Sequence, residues 1–319
     1  MNPPKVYVII LNYQNWQDTL ECLVSVFHSS YRYFSVIVID NNSKNNSLEH
    51  LTNWAQNVHG DNKVMKESFS YRLLSKENIN DFTNPALFHT LTFIQNDSNR
   101  GFAAGNNIAL HILQNEDAYI WLLNPDMIVR EDTMAELIKF ADKKDKHSII
   151  GSVVKHYSDQ NNLLFCGGGR ILFSSGSIKW IKNPDDIASL DFISGGCLFT
   201  HAGNFKRNGL LPEKYFLYWE ETDWCYHARQ KGCSLDLCTT AVCYDKVSTI
   251  IGKGFLANYY YTLNGLRFTS TIKKHQKAVI LFYLGMRFLK RIITGRWASA
   301  KGLYKGAKDF FNSNFYDSK

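Results

Sequence analysis

The chain has 319 residues, 45% hydrophobic and 20% charged, which is enough apolar matter for a sizeable core and excludes disorder by composition. Its seven Cys form no Cys-x-x-Cys pair and fit no disulfide scaffold, so the expectation is reduced thiols and a cytosolic setting. The net charge of +7 is uneven: from Arg267 to the end, twelve Lys and Arg stand against two Asp, which leaves residues 1–266 at −3.

Taken in order, the first half alternates strand and helix signals. Lys5–Leu11 is a β-branched run that reads as a buried parallel strand, followed by helical spacing over Asp18–His28. Phe34–Ile39 is a second strand, and a helix begins near Ser47. Residues 57–90 are polar and irregular and read as an insertion. Leu91–Ile94, Ala118–Leu123 and Ser148–Val154 are further strands, with helices over Ala103–Leu113 and Glu131–Ala141. This order predicts a mostly parallel sheet with right-handed crossovers. After about residue 155 short strands are broken by Gly167-Gly168-Gly169 and Ser174–Ser177. Phe192–Thr200 reads as one more strand, and Glu221–Lys231 as a helix stopped by Gly232. Met1–Leu11 is too short for a secretory leader. The longest late apolar run, Ala278–Met286, falls well short of the ~20 residues of a membrane span.

Ligands of open α/β sheets bind beyond the carboxyl ends of the strands. Polar residues collect there: Asn12 and Tyr13, then Asp40 to Ser43, then Asn96 to Arg100, then Asn124-Pro125-Asp126. Singly, each is an ordinary turn or cap; in register they point to a nucleotide site. Neither a Walker-type Gly-rich loop nor Gly-x-Gly-x-x-Gly follows the first strand. A nucleotidyltransferase would be expected to carry a Gly-rich, cationic phosphate loop where Asn12-Tyr13-Gln14-Asn15 stands.

Five blocks carry a resemblance: Val8–Tyr13, Val38–Ser43, Asn99–Asn107, Leu122–Asp126, and Ser194–Cys197 continuing through Trp219–Cys225. In this order they resemble family 2 glycosyltransferases, and within them the rhamnosyltransferase-like branch that builds bacterial surface polysaccharides. The resemblance implies a GT-A fold over 1–269, with a nucleotide-sugar half (1–155) and an acceptor half (156–269), and a nucleotide-diphosphate sugar donor carrying UDP or dTDP. It gives Asn12, Tyr13, Asp40 and Asn42 to the base and ribose, and Arg100 and Asn106 to the diphosphate side. Asn124-Pro125-Asp126 matches the family's Asp-x-Asp turn. Asp126 would be the ligand of a Mg2+ or Mn2+ ion that stabilises the leaving diphosphate, with neutral Asn124 beside it.

An inverting transfer needs one base to deprotonate the acceptor hydroxyl. The resemblance sets Glu221 where the family has Asp, with Asp223 second; the plainer account of these acids is favourable charge at a helix start. Trp219 and Trp224 are either acceptor platforms or core. Two positions depart from the family: Asp245 stands in place of a metal-binding His, ahead of Lys246-Val247-Ser248, and Leu263 in place of an Arg. Those departures motivate the alternative of a nucleotide-sugar-binding protein with weakened catalysis. The tail, residues 270–319, repeats Val279, Phe282, Tyr283, Met286, Leu289 and Ile293 at helical spacing among Lys290, Arg291, Arg296, Lys301 and Lys305. It reads as basic amphipathic helices on the cytoplasmic face of an anionic membrane, beside a lipid-linked or glycan acceptor. No nucleic-acid motif accompanies the charge.

Overall fold

A computed structural model describes residues 3–58, 69–75, 89–247, 254–273 and 277–313. Its centre is a ten-stranded mixed sheet. Strands β1 (Lys5–Asn12), β2 (Phe34–Asp40), β3 (Ser70–Ser75), β4 (Thr90–Gln95) and β5 (Ala118–Leu123) run parallel in the order β3-β4-β2-β1-β5. The sheet continues through β12 (Cys197–His201), β7 (Ser148–His156), β13 (Ser234–Asp245) and β6 (Met127–Val129), with β8 (Leu163–Cys166) paired to β7. Within this half β12 and β6 run antiparallel to their neighbours, while β7 and β13 are parallel. A small second sheet joins β9 (Gly168–Leu172), β10 (Ser177–Trp180) and β11 (Phe192–Ile193).

Helices cover both faces, so the central strands are apolar on both sides. Along β1, Val6, Val8 and Ile10 enter one core with α1 (Trp16–Phe27), α2 (Ser47–Val58) and α4 (Thr133–Ala141). Tyr7 and Ile9 enter the other with α3 (Gly101–Leu113), α5 (Gly203–Asn208) and α6 (Glu220–Gln230).

Three differences from the sequence reading have physical causes. The stretch read as an insertion contains β3, an edge strand whose Tyr71 packs on the core; most of the remaining residues, 59–68 and 76–88, lie outside the described residues. The single strand read over Phe192–Thr200 is two strands in different sheets, split at Gly195-Gly196. The tail does not stand apart. Helices α7 (Phe255–Ile272), α8 (Lys277–Ile293) and α9 (Trp297–Asn312) share a core of Leu263, Leu266, Ile280, Leu284, Leu303 and Phe310.

Helix α9 reaches α7 through its glycines. A Cβ on Gly302 would stand 2.2 Å from the Phe255 carbonyl oxygen, and one on Gly306 2.6 Å from that of Tyr259. Gly302→Val is therefore expected to cost about 1–3 kcal/mol by overpacking. Hydrogen exchange should quicken in α9 before it does in the central sheet; unchanged melting and exchange would refute the close crossing.

Candidate active site

The carboxyl ends of β1, β2 and β4 meet in a buried polar network. Asp40, 1% exposed, accepts from Asn12 Nδ2 at 2.7 Å, from the Ser43 backbone N–H at 3.0 Å and from Gln95 Nε2 at 2.9 Å. Asn41 donates to Asn99 Oδ1 at 2.8 Å and accepts from Asn96 Nδ2 at 2.9 Å. Burying these groups is affordable only because each finds a partner, and together they tie three strand ends at a fixed height.

Above the network lies a cavity of about 390 Å3 whose lining includes Tyr13, Asn41, Asn99, Gly101, Asn124 and Asp126. A second, of about 410 Å3, is lined among others by Trp180, Gly195, Glu220, Glu221, Asp245 and Tyr261. Phe102, Asn124, Leu217 and Tyr218 line both. The site is thus two adjoining chambers with a common wall.

That wall is the segment leading into α6. Tyr218 and Trp219 have φ of 63° and 80°, a left-handed conformation costly for side chains of this size. The strain is held from four sides. Tyr215 donates to Asp223 at 2.8 Å, and the Phe216 carbonyl accepts from Phe102 N–H at 3.0 Å. Asn264 Nδ2 donates to the carbonyls of Leu217 and Tyr218 at 2.8 and 3.3 Å, and the Trp219 indole donates to the Tyr261 carbonyl at 3.0 Å. Gly101, at φ 91°, leaves no room for a Cβ, which would meet the Phe216 carbonyl oxygen at 2.1 Å.

This turn aims α6 so that Glu220 and Glu221 face the second chamber. Glu221 is half-buried, and burial raises its pKa against the N–H groups of Glu221, Thr222 and Gly195. Gly195 permits the approach: a Cβ there would press on the Glu221 side chain at 3.2 Å. Glu220 is 3% exposed, and its Oε2 has no hydrogen-bond partner among the described residues. Burial first, and the Glu221 charge second, push its pKa well above the usual carboxylate range. Burial together with Glu220, Glu221 and Asp126 pushes the Tyr218 phenol up to about 12, so it remains a donor.

Of the sequence candidates, Tyr13, Asn124, Asp126, Glu221 and Asp245 line the chambers. Asn12 and Asp40 lie beneath, spent on each other. Asn42 donates to the Asp97 carbonyl at 2.7 Å, and Asn106 to the Phe102 carbonyl at 2.9 Å within α3. Arg100 is exposed and pairs with Glu213 at 3.5 Å. Asp223, the second base candidate, is buried outside both linings and bound to Tyr215, Lys214 at 2.8 Å and His227 at 2.6 Å, so it anchors the turn. Trp224 is core, stacked on Phe205 at 4.6 Å. Leu263 faces the tail-helix core and not the chambers.

Asp126 and Asp245 line different chambers, although the Lys246 N–H donates to the Asp126 carbonyl at 3.1 Å. Among the described residues no group of three or more His, Cys, Asp or Glu is placed to hold a metal ion. Ser248, next along the Asp245 motif, lies outside the described residues. The aromatic walls Tyr218, Trp180 and Tyr261 escaped the sequence reading, because aromatic spacing does not say which face a side chain takes. Asn41 and Asn99 sat inside quoted motifs and were legible as polar strand ends.

The profile of the family described as Glycosyl transferase family 2 matches residues 7–73 and 68–166. A hexosyltransferase of low-salt glycan biosynthesis from Haloferax volcanii is 23% identical over 149 residues, 46% of this chain and 48% of its own. The chain thus spans about half the length of that curated relative. In shape it is similar to the mannosyltransferase PcManGT of Pyrobaculum calidifontis, solved with GDP-Man and Mn2+ (TM-score 0.56, 14% identity, 98% of this chain and 88% of that one). It is also similar to GalNAc-T7, solved with UDP, GalNAc and Mn2+ (TM-score 0.59, 14% identity, 84% and 48%). A third likeness is to S. aureus TarS 1–349 with UDP-GlcNAc (TM-score 0.51, 14% identity, 89% and 72%). The architecture is GT-A-like, as the motifs implied.

A carboxyl whose folded pKa is raised contributes stability below its unfolded pKa, and that contribution is lost as pH rises through the folded value. Glu220→Gln should therefore melt higher than the parent at pH 8, with the gain shrinking as pH falls toward the ordinary glutamate range near 4.5. Parallel melting curves for the two proteins across pH would show that Glu220 ionises without penalty.

Proposed function

The chain belongs to glycosyl transferase family 2, and on that premise we propose that it is an inverting glycosyltransferase drawing on a nucleotide-diphosphate sugar. The observation that carries this reading is the pair of chambers with a shared wall at Asn124 and Tyr218. The chamber over the strand ends suits a nucleotide, with Tyr13 and the Asn41–Asn99 pair along its floor. The chamber at Glu221 suits an acceptor, whose hydroxyl would meet a carboxylate made more basic by burial.

Attack from the Glu221 side, with the leaving diphosphate on the Asp126 side, inverts the anomeric centre. The Glu221 carboxylate takes the hydroxyl proton as the new glycosidic bond forms. A divalent cation would be held by Asp126, whose carboxylate lines the nucleotide chamber, together with the donor's own phosphate oxygens; when bound it would offset the charge of the departing diphosphate. Asp245, from the neighbouring strand, lies nearer the acceptor.

The rhamnosyltransferase-like motifs favour a glycan acceptor in bacterial surface polysaccharide synthesis, UDP or dTDP as the nucleotide, and work at the cytoplasmic membrane face. No helix among the described residues is long and apolar enough to cross a membrane. Helix α8, however, turns Leu281, Phe282, Met286, Leu289 and Ile293 outward, more than half exposed each, a surface suited to lie on a bilayer beside a lipid-linked acceptor. Weakened catalysis loses part of its motive, since Leu263 packs in the tail-helix core and lines neither chamber.

Glu221→Gln is expected to keep donor affinity in calorimetry and to lower turnover by about 10²–10⁴-fold, the range for general-base loss. Turnover within a few-fold of the parent would move the base elsewhere. Asp126→Ala should remove the gain in UDP- or dTDP-sugar affinity that Mn2+ confers on the parent protein; a parent that binds no nucleotide with or without Mn2+ would sink the enzyme reading.

A further inference from the structure

The inward stripe of α8 starts apolar and ends cationic. Ile280 and Leu284 are buried, and Arg287 and Arg291 follow on the same face. The Arg287 guanidinium lies 5.4 Å from the centre of the Tyr261 ring, with Nη1 donating to the Ser175 carbonyl at 3.3 Å. Arg291 donates from Nε and Nη2 to Asn258 Oδ1 at 3.1 and 2.9 Å, and from Nη1 to the Arg287 carbonyl at 3.0 Å. Among the described residues, Tyr261 acts electrostatically on both, and Arg287 and Arg296 act on Arg291, with no carboxylate among them. Two half-buried guanidiniums side by side, without a counter-charge among the described residues, are an arrangement that an anion completes.

Their position says which anion. Tyr261 is a wall of the acceptor chamber, so Arg287 stands one aromatic ring behind that chamber. The opposite face of α8 is the exposed apolar surface of Phe282, Met286, Leu289 and Ile293. A helix resting on a bilayer by that face carries its other flank at headgroup depth, where phosphate esters are concentrated. We propose that Arg287 and Arg291 bind a lipid-borne phosphate ester at the membrane surface, next to the chamber that receives the acceptor sugar. This rests on the reading of α8 as a membrane-facing helix. The same chemistry is offered by a diphosphate linking the acceptor to a polyprenyl carrier and by a bilayer phospholipid.

The test uses the full chain and three vesicles: phosphatidylcholine alone, with phosphatidylglycerol, and with polyprenyl diphosphate at matched charge. Arg287→Gln/Arg291→Gln should bind a phosphate-bearing vesicle about tenfold more weakly than the parent, the scale of a lost charge-assisted hydrogen bond, with UDP- or dTDP-sugar binding unchanged as evidence of folding. Arg287→Lys, which keeps the charge without the planar fork, should lose less. A loss confined to polyprenyl diphosphate assigns the site to the carrier, and an equal loss on phosphatidylglycerol assigns it to headgroups; both support it. Phe282→Glu/Met286→Glu/Ile293→Glu tests the membrane reading separately. Parent binding that this triple change abolishes, but that ignores the arginines, overturns the phosphate site alone. A parent that binds no vesicle overturns both.

Discussion

The left-handed turn at Tyr218–Trp219 is the constraint on which the site depends. Two bulky residues sit in a backbone region that costs of order 1–3 kcal/mol each, and neither is a glycine that would relieve it. The turn persists because its neighbours over-determine it: Asp223 holds Tyr215, Phe102 holds Phe216, Asn264 holds Leu217 and Tyr218, and the Trp219 indole is tied to α7. The anchors come from three elements, so the turn also fastens α3, α6 and α7 together. What is gained is a wall that faces both chambers and a helix start that presents two acids to one of them.

The electrostatics follow from that geometry. A helix N-terminus favours carboxylates, which accounts for Glu220 and Glu221 being tolerated together. Burial works against them, and only Glu221 has backbone N–H partners reaching from outside its own turn, at Gly195. Glu220 has an orphan oxygen and the larger upward shift. The two therefore differ: burial disfavours the charged form of Glu220 the more strongly, while the N–H groups around Glu221 favour its carboxylate, in keeping with the base role proposed for it.

The first half of the chain was legible because its signals are local. A β-branched run ending in Asn or Asp announces both the strand and its polar end, and the network at Asn12, Asp40 and Asn99 sits there. What spacing could not tell was direction. Asp40 reads as a ligand group in sequence, and the structure shows its carboxylate held by Asn12, Ser43 and Gln95, beside the Asn41 that lines the chamber. Glu221 and Asp223, two apart on a helix, point about 200° apart, which is why one faces a chamber and the other a buried cluster. The second half was harder for the same reason. Tyr218, Trp180 and Tyr261 come from three distant segments, and only the tertiary fold brings them to one wall.

The tail shows most clearly how one pattern can serve two surfaces. Its amphipathic period is real in both helices, yet α9 spends its small-residue face on α7 at Gly302 and Gly306, while α8 keeps its largest apolar side chains outside. Helix α7 therefore stands between the chambers and the tail: Tyr261 faces the second chamber, Leu263 the tail core, and Asn264 the strained turn. Where the family places Arg, this chain has Leu, and the residue lies in the interface that seats α8 and α9. A cation there would lie among Ile280, Leu284 and Leu303, an apolar setting that is costly for a charge. The substitution is thus explained by the helices that pack on it, and the cationic groups of this region stand one layer further out, on α8 itself.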